Sequence, residues 1–192
     1  MARAGEHLER VEVRSRAEWR AWLAANHGRT ESVWLVRYRG HHPDHLPYPD
    51  AVREALCFGW IDSVPRKLDG DRTMVLMSPR KAGSAWSGLN KRYVAELEEA
   101  GLIAPPGRAA IERARADGSW SFLDDVERLE VPDDLAAAFA ARPGSREGWE
   151  GFPPSARRGM LEWIKRARRA ETRAGRIART AECAARGERA LG

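Results

Sequence analysis

Strand-forming and helix-forming patterns occupy different parts of this chain, and that separation limits the folds it can adopt. β-Branched and aromatic residues alternate with other residues in segments 32–39, 60–68 and 72–79, a pattern typical of strands. From residue 84 onward, apolar residues recur at intervals of three and four, which places them on one face of a helix. We therefore predict an α+β fold: a small antiparallel sheet of about three strands covered by helices, followed by an all-helical C-terminal half.

The chain is predicted to form a single domain over residues 1–192. Its length suits one compact core, and no internal repeat or low-complexity linker interrupts it. Within this domain we expect a mixed helix and sheet part over residues 1–83 and a helical part over residues 84–192.

Two helix starts carry recognisable capping signals. The segment "SRAEWRAWLAANHG" begins with a capping box, Ser15 and Glu18, and places Trp19 and Trp22 on one face, so we expect these indoles to pack on the sheet. The segment "SAWSGLNKRYVAELEEAG" begins at Ser84, which is predicted to be the N-cap of a second helix.

Positive charge is concentrated at the C-terminal end. Of a net charge of +5, residues 155–192 hold 11 Lys and Arg residues against 4 Asp and Glu residues, whereas the first 154 residues hold 22 against 24. A basic tail of this kind is a feature of nucleic-acid-binding proteins. Nucleic-acid binding is therefore an alternative function, with phosphate contacts from Arg166, Arg168, Arg169, Arg173, Arg176 and Arg179.

The sequence predicts a cytoplasmic protein without membrane insertion. Cys57 and Cys183 lie far apart and have no metal-like spacing, which favours a reducing compartment. The N-terminal segment is charged, and the longest uncharged apolar run, "LAAAFAA" at 135–141, is too short to cross a bilayer.

A cluster of polar and aromatic residues predicts a binding cleft. A helix N-terminus with cations beside it is a favourable anion site, and indoles near polar groups often line pockets. Helix capping and solvated cations explain the same residues without any ligand. We place the cleft between the sheet and the helix starting at residue 84, with these ligand-binding residues: Trp60, Asp62, Ser63, Arg80, Lys81, Trp86, Ser87 and Asn90.

Four motifs carry a resemblance to a known family. The segments "EALCFGWIDS", "SPRKAGSAWSGLNKR", "ADGSW" and "ETRAGRI", spread between about residue 19 and residue 187, resemble the YdeI/OmpD-associated family of bacterial bacteriocin-protection proteins. The resemblance implies resistance to cationic antimicrobial peptides and an association with outer-membrane porin phenotypes. It implies no reaction or catalytic residue. The last motif adds Thr172 and Arg173 to the candidate ligand-binding residues.

Asp62 is predicted to have a charged or amide partner, because an unpaired buried carboxylate is unfavourable. The hairpin around Asp69 and Gly70 should bring Arg80 and Lys81 to the sheet end near residues 58–62. We therefore expect the partner in segment 80–92, or in segment 171–176 as the family resemblance suggests. Loss of a buried pair of this kind would cost about 2 to 4 kcal/mol.

The loop "HHPDHLPYPD" departs from the family pattern. His41, His42, His45 and Asp44 could together hold a transition metal. The loop contains Pro43 and Pro47, which resist the geometry that would converge three rings, so we predict exposed histidines that bind no metal tightly.

Enzyme motifs are missing from the sequence. No nucleophile elbow, zinc-protease motif, P-loop or dinucleotide fingerprint is present, so we assign no catalytic residue and no cofactor. The leading hypothesis is a non-enzymatic stress-resistance protein that binds a small ligand or a protein partner. Its net positive charge disfavours direct capture of cationic peptides, which makes protection indirect. A third alternative is an undescribed enzyme with Asp62 as general acid or base.

Overall fold

A computed structural model of the chain describes residues 7–191, which form two compact units with a boundary between Ser121 and Phe122. The last strand ends at Pro79 and only helices follow it, which agrees with the change from mixed to helical structure expected near residue 83, whereas the boundary between the units lies later. Whether the two units behave as the single predicted domain stays a prediction. The strands are β1 (Arg10–Glu12), β2 (Val33–Tyr38), β3 (Trp60–Lys67) and β4 (Arg72–Pro79); the helices are α1 (Arg16–Asn26), α2 (Tyr48–Cys57), α3 (Gly88–Glu99), α4 (Pro105–Ala116), α5 (Asp124–Glu127), α6 (Asp133–Ala140), α7 (Ser145–Glu150), α8 (Pro154–Lys165) and α9 (Ala170–Ala185).

The first unit contains one sheet with strand order β1-β2-β4-β3. Strands β2, β4 and β3 pair antiparallel, which confirms the predicted sheet. The β3–β4 turn is held by the Asp69 carboxylate, which accepts hydrogen bonds from the backbone N–H groups of Asp71 and Arg72. Strand β1 pairs parallel to β2 and was not predicted, because three residues are too few to show a period of two.

Helix α1 packs its two indoles on the sheet as predicted. Trp19 belongs to the same buried cluster as Leu35 of β2 and Met77 of β4, and Trp22 packs against that cluster. The Trp19 indole N–H donates to the Ala51 carbonyl at 3.0 Å, which ties α1 to α2. Ser15 is the N-cap of α1, as the capping box predicted, and its hydroxyl accepts a hydrogen bond from the Glu18 N–H.

Helix α3 begins later than expected. Ser87, not Ser84, is the N-cap: its hydroxyl accepts a hydrogen bond from the Asn90 N–H at 3.2 Å. Ser84 instead donates its backbone N–H to the Lys81 carbonyl. The prediction was wrong because Ser84 and Ser87, three residues apart, satisfy the same local capping rule. Trp86 lies between them and is buried, and the helix begins only after it, which makes Ser87 the N-cap.

The second unit is helical as predicted, with α9 packed on α6, α7 and α8. Its buried residues include Trp149, Ile177 and Ala184. Gly148 of α7 lies directly against the Ala184 carbonyl, so the two helix backbones approach without an intervening side chain. In the part of the chain that the structure describes, every helix is too short or too polar to span a lipid bilayer.

Candidate anion-binding site

The β3–β4 hairpin places Arg80 where the sequence predicted. Trp60 and Pro79 are paired at the end of the two strands, and the Arg80 N–H donates to the Gly59 carbonyl at 2.9 Å. The backbone of Arg80 is therefore fixed by the end of the sheet and does not belong to a free loop.

The Arg80 guanidinium is buried, although arginine is usually exposed. Only 7% of the residue is accessible, and its guanidinium lies 3.6 Å from the Trp86 ring centroid. Nη1 donates a long hydrogen bond of 3.4 Å to the Ala85 carbonyl. Nε and Nη2 are buried and have no hydrogen-bond partner within residues 7–191. Two nitrogen donors of a charged group without acceptors are unfavourable in a buried site.

Burial changes the acidity of this arginine but does not discharge it. Loss of hydration lowers the pKa of Arg80 to about 10, while the attraction of Asp62 acts in the opposite direction. At neutral pH the guanidinium therefore remains a cation. Stacking on Trp86 stabilises part of that charge, but it does not provide hydrogen-bond acceptors for Nε and Nη2 of the guanidinium.

A small pocket surrounds Arg80. It encloses only about 10 Å³, roughly the room that one water molecule needs and far below the roughly 300–1,000 Å³ of pockets that enclose drug-sized ligands. One side is formed by the loop between β4 and α3, and the other by α4 and the turn after it. Its lining residues are Arg80, Lys81, Ala82, Gly83, Ser84, Trp86, Ala110, Arg113, Ala114, Asp117 and Ser119.

Asp117 holds the two sides of the pocket together. Its carboxylate accepts hydrogen bonds from the Gly83 N–H at 3.0 Å and the Ser119 N–H at 2.9 Å. A hydrogen bond from the Ser119 side chain contributes most to lowering the pKa of Asp117, and the two backbone hydrogen bonds lower it further. The sequence reasoning missed Arg113, Asp117 and Ser119 as pocket residues, although the "ADGSW" motif around Asp117 was a signal that could have indicated the last two.

Two known protein families match two different parts of the chain, one in each compact unit. Residues 11–110 match the model of a family described as a domain of unknown function, DUF8412, and this range is more than half of the chain. The chain belongs to the DUF8412 family. Residues 128–187 match the family described as Bacteriocin-protection, YdeI or OmpD-Associated, which confirms the predicted resemblance over that range. No curated protein and no solved structure matches the chain.

The two family ranges separate the motifs that suggested the resemblance. "EALCFGWIDS" and "SPRKAGSAWSGLNKR" lie in the DUF8412 range, and "ETRAGRI" lies in the bacteriocin-protection range. Arg80 and its loop therefore belong to the DUF8412 part of the chain, while the family link to bacteriocin protection comes from the second unit.

Trp60 is a core residue instead of an open pocket wall. It is 0% exposed, its ring meets the Trp22 ring edge-on at 5.7 Å, and its indole N–H donates to the His27 carbonyl. Trp86 does line the Arg80 pocket, but Arg80 covers it, and its ring lies 5.0 Å from that of Trp120. The predicted cleft with two indole walls is thus replaced by a pocket with one covered indole.

The remaining predicted residues of the first unit have varied surroundings. Lys81 is exposed at the pocket mouth, and Ser63 is exposed on β3 beside a bulge between Asp62 and Pro65. Ser87 and Asn90 form the α3 cap, which explains both residues without a ligand.

Asp62 is hydrogen-bonded to the hydroxyl of Tyr48, which lies at the start of α2. The prediction of a direct partner from segment 80–92 or 171–176 is therefore wrong; Arg80 attracts Asp62 electrostatically without a direct hydrogen bond. Burial and then the hydrogen bond to Asp62 raise the pKa of Tyr48, so the phenol remains the donor. The sequence pattern did not indicate this contact, because a tyrosine near a loop end has no periodic signal.

Replacement of Asp62 with alanine should reduce stability only slightly. The carboxylate is half-buried and its direct partner is a partly exposed hydroxyl, so we expect a loss of about 1 kcal/mol in a urea melt. Tyr48→Phe removes the same hydrogen bond and should give a similar loss. A loss above about 3 kcal/mol for Asp62→Ala alone would instead show that Asp62 and Arg80 act as a buried ion pair.

Thr172 and Arg173 lie in the second unit. Thr172 is exposed in the first turn of α9. Arg173 donates from Nε and Nη2 to the two carboxylate oxygens of Asp134, at 2.6 and 2.9 Å. This pair raises the pKa of Arg173 and lowers that of Asp134. Arg173 therefore already has a carboxylate partner within its own unit.

Internal partners also occupy part of the arginine set proposed for nucleic-acid binding. Arg166 is bound to Glu162 at 2.7 Å, and Arg176 donates to the Trp163 carbonyl while stacking on the Trp163 ring. Together with Arg173, half of the six arginines are committed to contacts inside the unit. Phosphate contacts from them would require these contacts to break.

The three loop histidines have separate partners. His41 is exposed and lies 3.0 Å from the Asp71 carboxylate. His42 stacks on Tyr38 at 4.0 Å, and His45 is hydrogen-bonded to the Tyr38 carbonyl. The predicted exposure is wrong for His42 and His45, which are half-buried. No cluster of three metal-ligating side chains occurs among residues 7–191, and the absence of tight metal binding stays a prediction.

Proposed function

We propose that this protein is a non-enzymatic cytoplasmic stress-resistance protein that binds a small ligand, or a group of a protein partner, in the Arg80 pocket. The family match over residues 128–187 supports a general role in stress resistance through its link to bacteriocin protection. One observation carries the binding site: the buried Arg80 has two nitrogens, Nε and Nη2, that no residue of the described chain accepts from.

Core stability alone is a poor explanation for this arginine. A methionine of similar length could fill the space over Trp86 without charge to desolvate, and such replacements of buried charges are often neutral or stabilising. A binding role explains why a buried cation is kept at the end of β4, since functional sites are often maintained at the expense of stability.

Charge supports an indirect form of protection. The chain carries a net charge of +5, and Lys81 and Arg113 add positive charge around the Arg80 pocket. A cationic peptide would be repelled from this surface, whereas an anionic ligand would be attracted. The pocket is thus suited to sensing or holding a cellular anion, with protection as the consequence.

A survival assay tests the proposal. In a bacterial host lacking its own copy of the gene, expression of the wild-type chain should raise survival under bacteriocin challenge, and Arg80→Met should remove that gain. Arg53→Met is a matched control, because Arg53 also stacks on an aromatic ring, that of Tyr93 at 4.0 Å, but its charge is paired with Glu96. Full protection by a folded Arg80→Met variant would overturn the proposal.

A further inference from the structure

We infer that the group bound by Arg80 is an oxyanion, a carboxylate or phosphate, held by two parallel hydrogen bonds from Nε and Nη2. The inference rests on the proposed function, because it names the chemical class of ligand for the same pocket. Nε and Nη2 form one edge of the planar guanidinium, and that edge matches the spacing of two oxygens on a carboxylate or phosphate.

Other arginines of this chain show what the same edge binds. Arg173 directs Nε and Nη2 to the two oxygens of Asp134, and Arg53 directs Nε and Nη2 to the Glu96 carboxylate at 3.3 and 3.0 Å. Both of those arginines are less buried than Arg80. Arg80 presents the same edge in the drier site, where a charge-assisted pair is stronger, and no described residue supplies the oxygens.

The charges around the pocket favour an anion. Lys81 and Arg113 line it with Arg80, while Asp117 is its acidic lining residue. Both Asp117 oxygens are occupied by backbone N–H groups, which offsets part of its negative charge. Asp62 attracts Arg80 through space but accepts its direct hydrogen bond from Tyr48. Asp62 therefore does not supply an acceptor for Nε or Nη2 of Arg80.

Pocket size restricts the ligand to a small group. The enclosed space is about 10 Å³, roughly the room that one water molecule needs, so an oxyanion fits only after the pocket opens, and a bulky cofactor does not fit. Nε and Nη2 of Arg80 are closed to solvent, so anion binding requires the pocket to open, and we place that opening at residues 81–84, the exposed loop side of the lining. That loop is attached to the C-terminal end of α4 by the hydrogen bond from the Gly83 N–H to the Asp117 carboxylate.

The test uses the full chain in a buffer free of phosphate, sulfate and carboxylate. Inorganic phosphate and acetate are titrated separately, with chloride as the control anion, while the Nε–H resonance of Arg80 is followed by nuclear magnetic resonance. We expect one of the two oxyanions to shift this resonance saturably and to raise the thermal midpoint. Arg80→Lys, which keeps the charge but loses the fork, should weaken binding at least tenfold, whereas Arg53→Lys should bind as the wild type does.

Each result decides the inference. Saturation by phosphate alone identifies a phosphate group, and saturation by acetate alone identifies a carboxylate. An equal response to chloride would overturn the inference. So would the absence of any shift with either oxyanion between 50-fold the protein concentration and about 0.1 M. At about 0.1 M the Debye length is ~10 Å, so weak surface binding is already screened. If Arg80→Lys fails to fold, the wild-type Arg80 resonance alone decides. Loss of survival with Arg80→Met but no oxyanion binding would refute the ligand class and leave the proposed function standing; binding without any effect on survival would do the reverse.

Discussion

Replacement of Gly148 with alanine should strongly destabilise the helical unit of residues 122–192. A Cβ at this position would lie 1.9 Å from the Ala184 carbonyl oxygen and 2.9 Å from its carbonyl carbon. Both atoms belong to the backbone of α9, so no side chain can rotate away. Helices α7 and α9 would have to separate, and we expect a loss of about 3 kcal/mol or more, at the upper end for overpacked sites.

Gly175→Ala provides the matched control for Gly148→Ala. Gly175 lies within α9, and a Cβ there would meet nothing within 4 Å. Because alanine favours helix more than glycine does, this change should raise stability by up to about 1 kcal/mol. Thermal melts followed by circular dichroism, with hydrogen exchange of the α9 amides, measure both changes. Equal midpoints for the two variants would show that the α7–α9 contact is looser than this structure indicates.

Replacement of Glu54 with alanine should destabilise the first unit. Glu54 is 2% exposed, and its carboxylate binds Arg16 Nε at 2.6 Å and Arg20 Nη1 at 2.7 Å. These contacts join α2 to α1, and removal of the carboxylate leaves two cations facing each other. Because the arginine side chains are 43% and 36% exposed, water can rehydrate them, and we expect a loss of about 3 kcal/mol, the lower end for a broken buried pair.

Glu96→Ala is the control for Glu54→Ala. Glu96 is 58% exposed and pairs with a single arginine, Arg53, so its loss should change stability by less than about 1 kcal/mol. Urea unfolding at pH 7 compares the two variants, and Glu54→Gln separates the charge from the volume of the side chain. Similar small losses for Glu54→Ala and Glu96→Ala would mean that the buried carboxylate contributes no net stability.

Several features of the fold followed from local sequence alone. The β2, β3 and β4 strands show alternation that matches a pleated sheet, and Asp69 and Gly70 provide the turn between two of them. The α1 start follows from its serine cap. These elements can be predicted from the sequence because their signals depend on residues within a few positions of one another and on a fixed geometric period. The position of Arg80 at the end of the sheet was predictable for the same reason.

The chemistry of the site was decided by tertiary structure. The sequence placed Arg80, Lys81 and Trp86 in one region, but it could not show that Trp86 lies beneath the guanidinium or that α4 brings Arg113 and Asp117 to the opposite side of the pocket. Arg113 and Asp117 lie more than thirty positions beyond Arg80, and even for the nearby Trp86 local periodicity carries no information about which buried surfaces meet. The sequence therefore determined the elements and the residue types, whereas packing of α4 against the 81–87 loop determined which cation lost its water and was left without an acceptor.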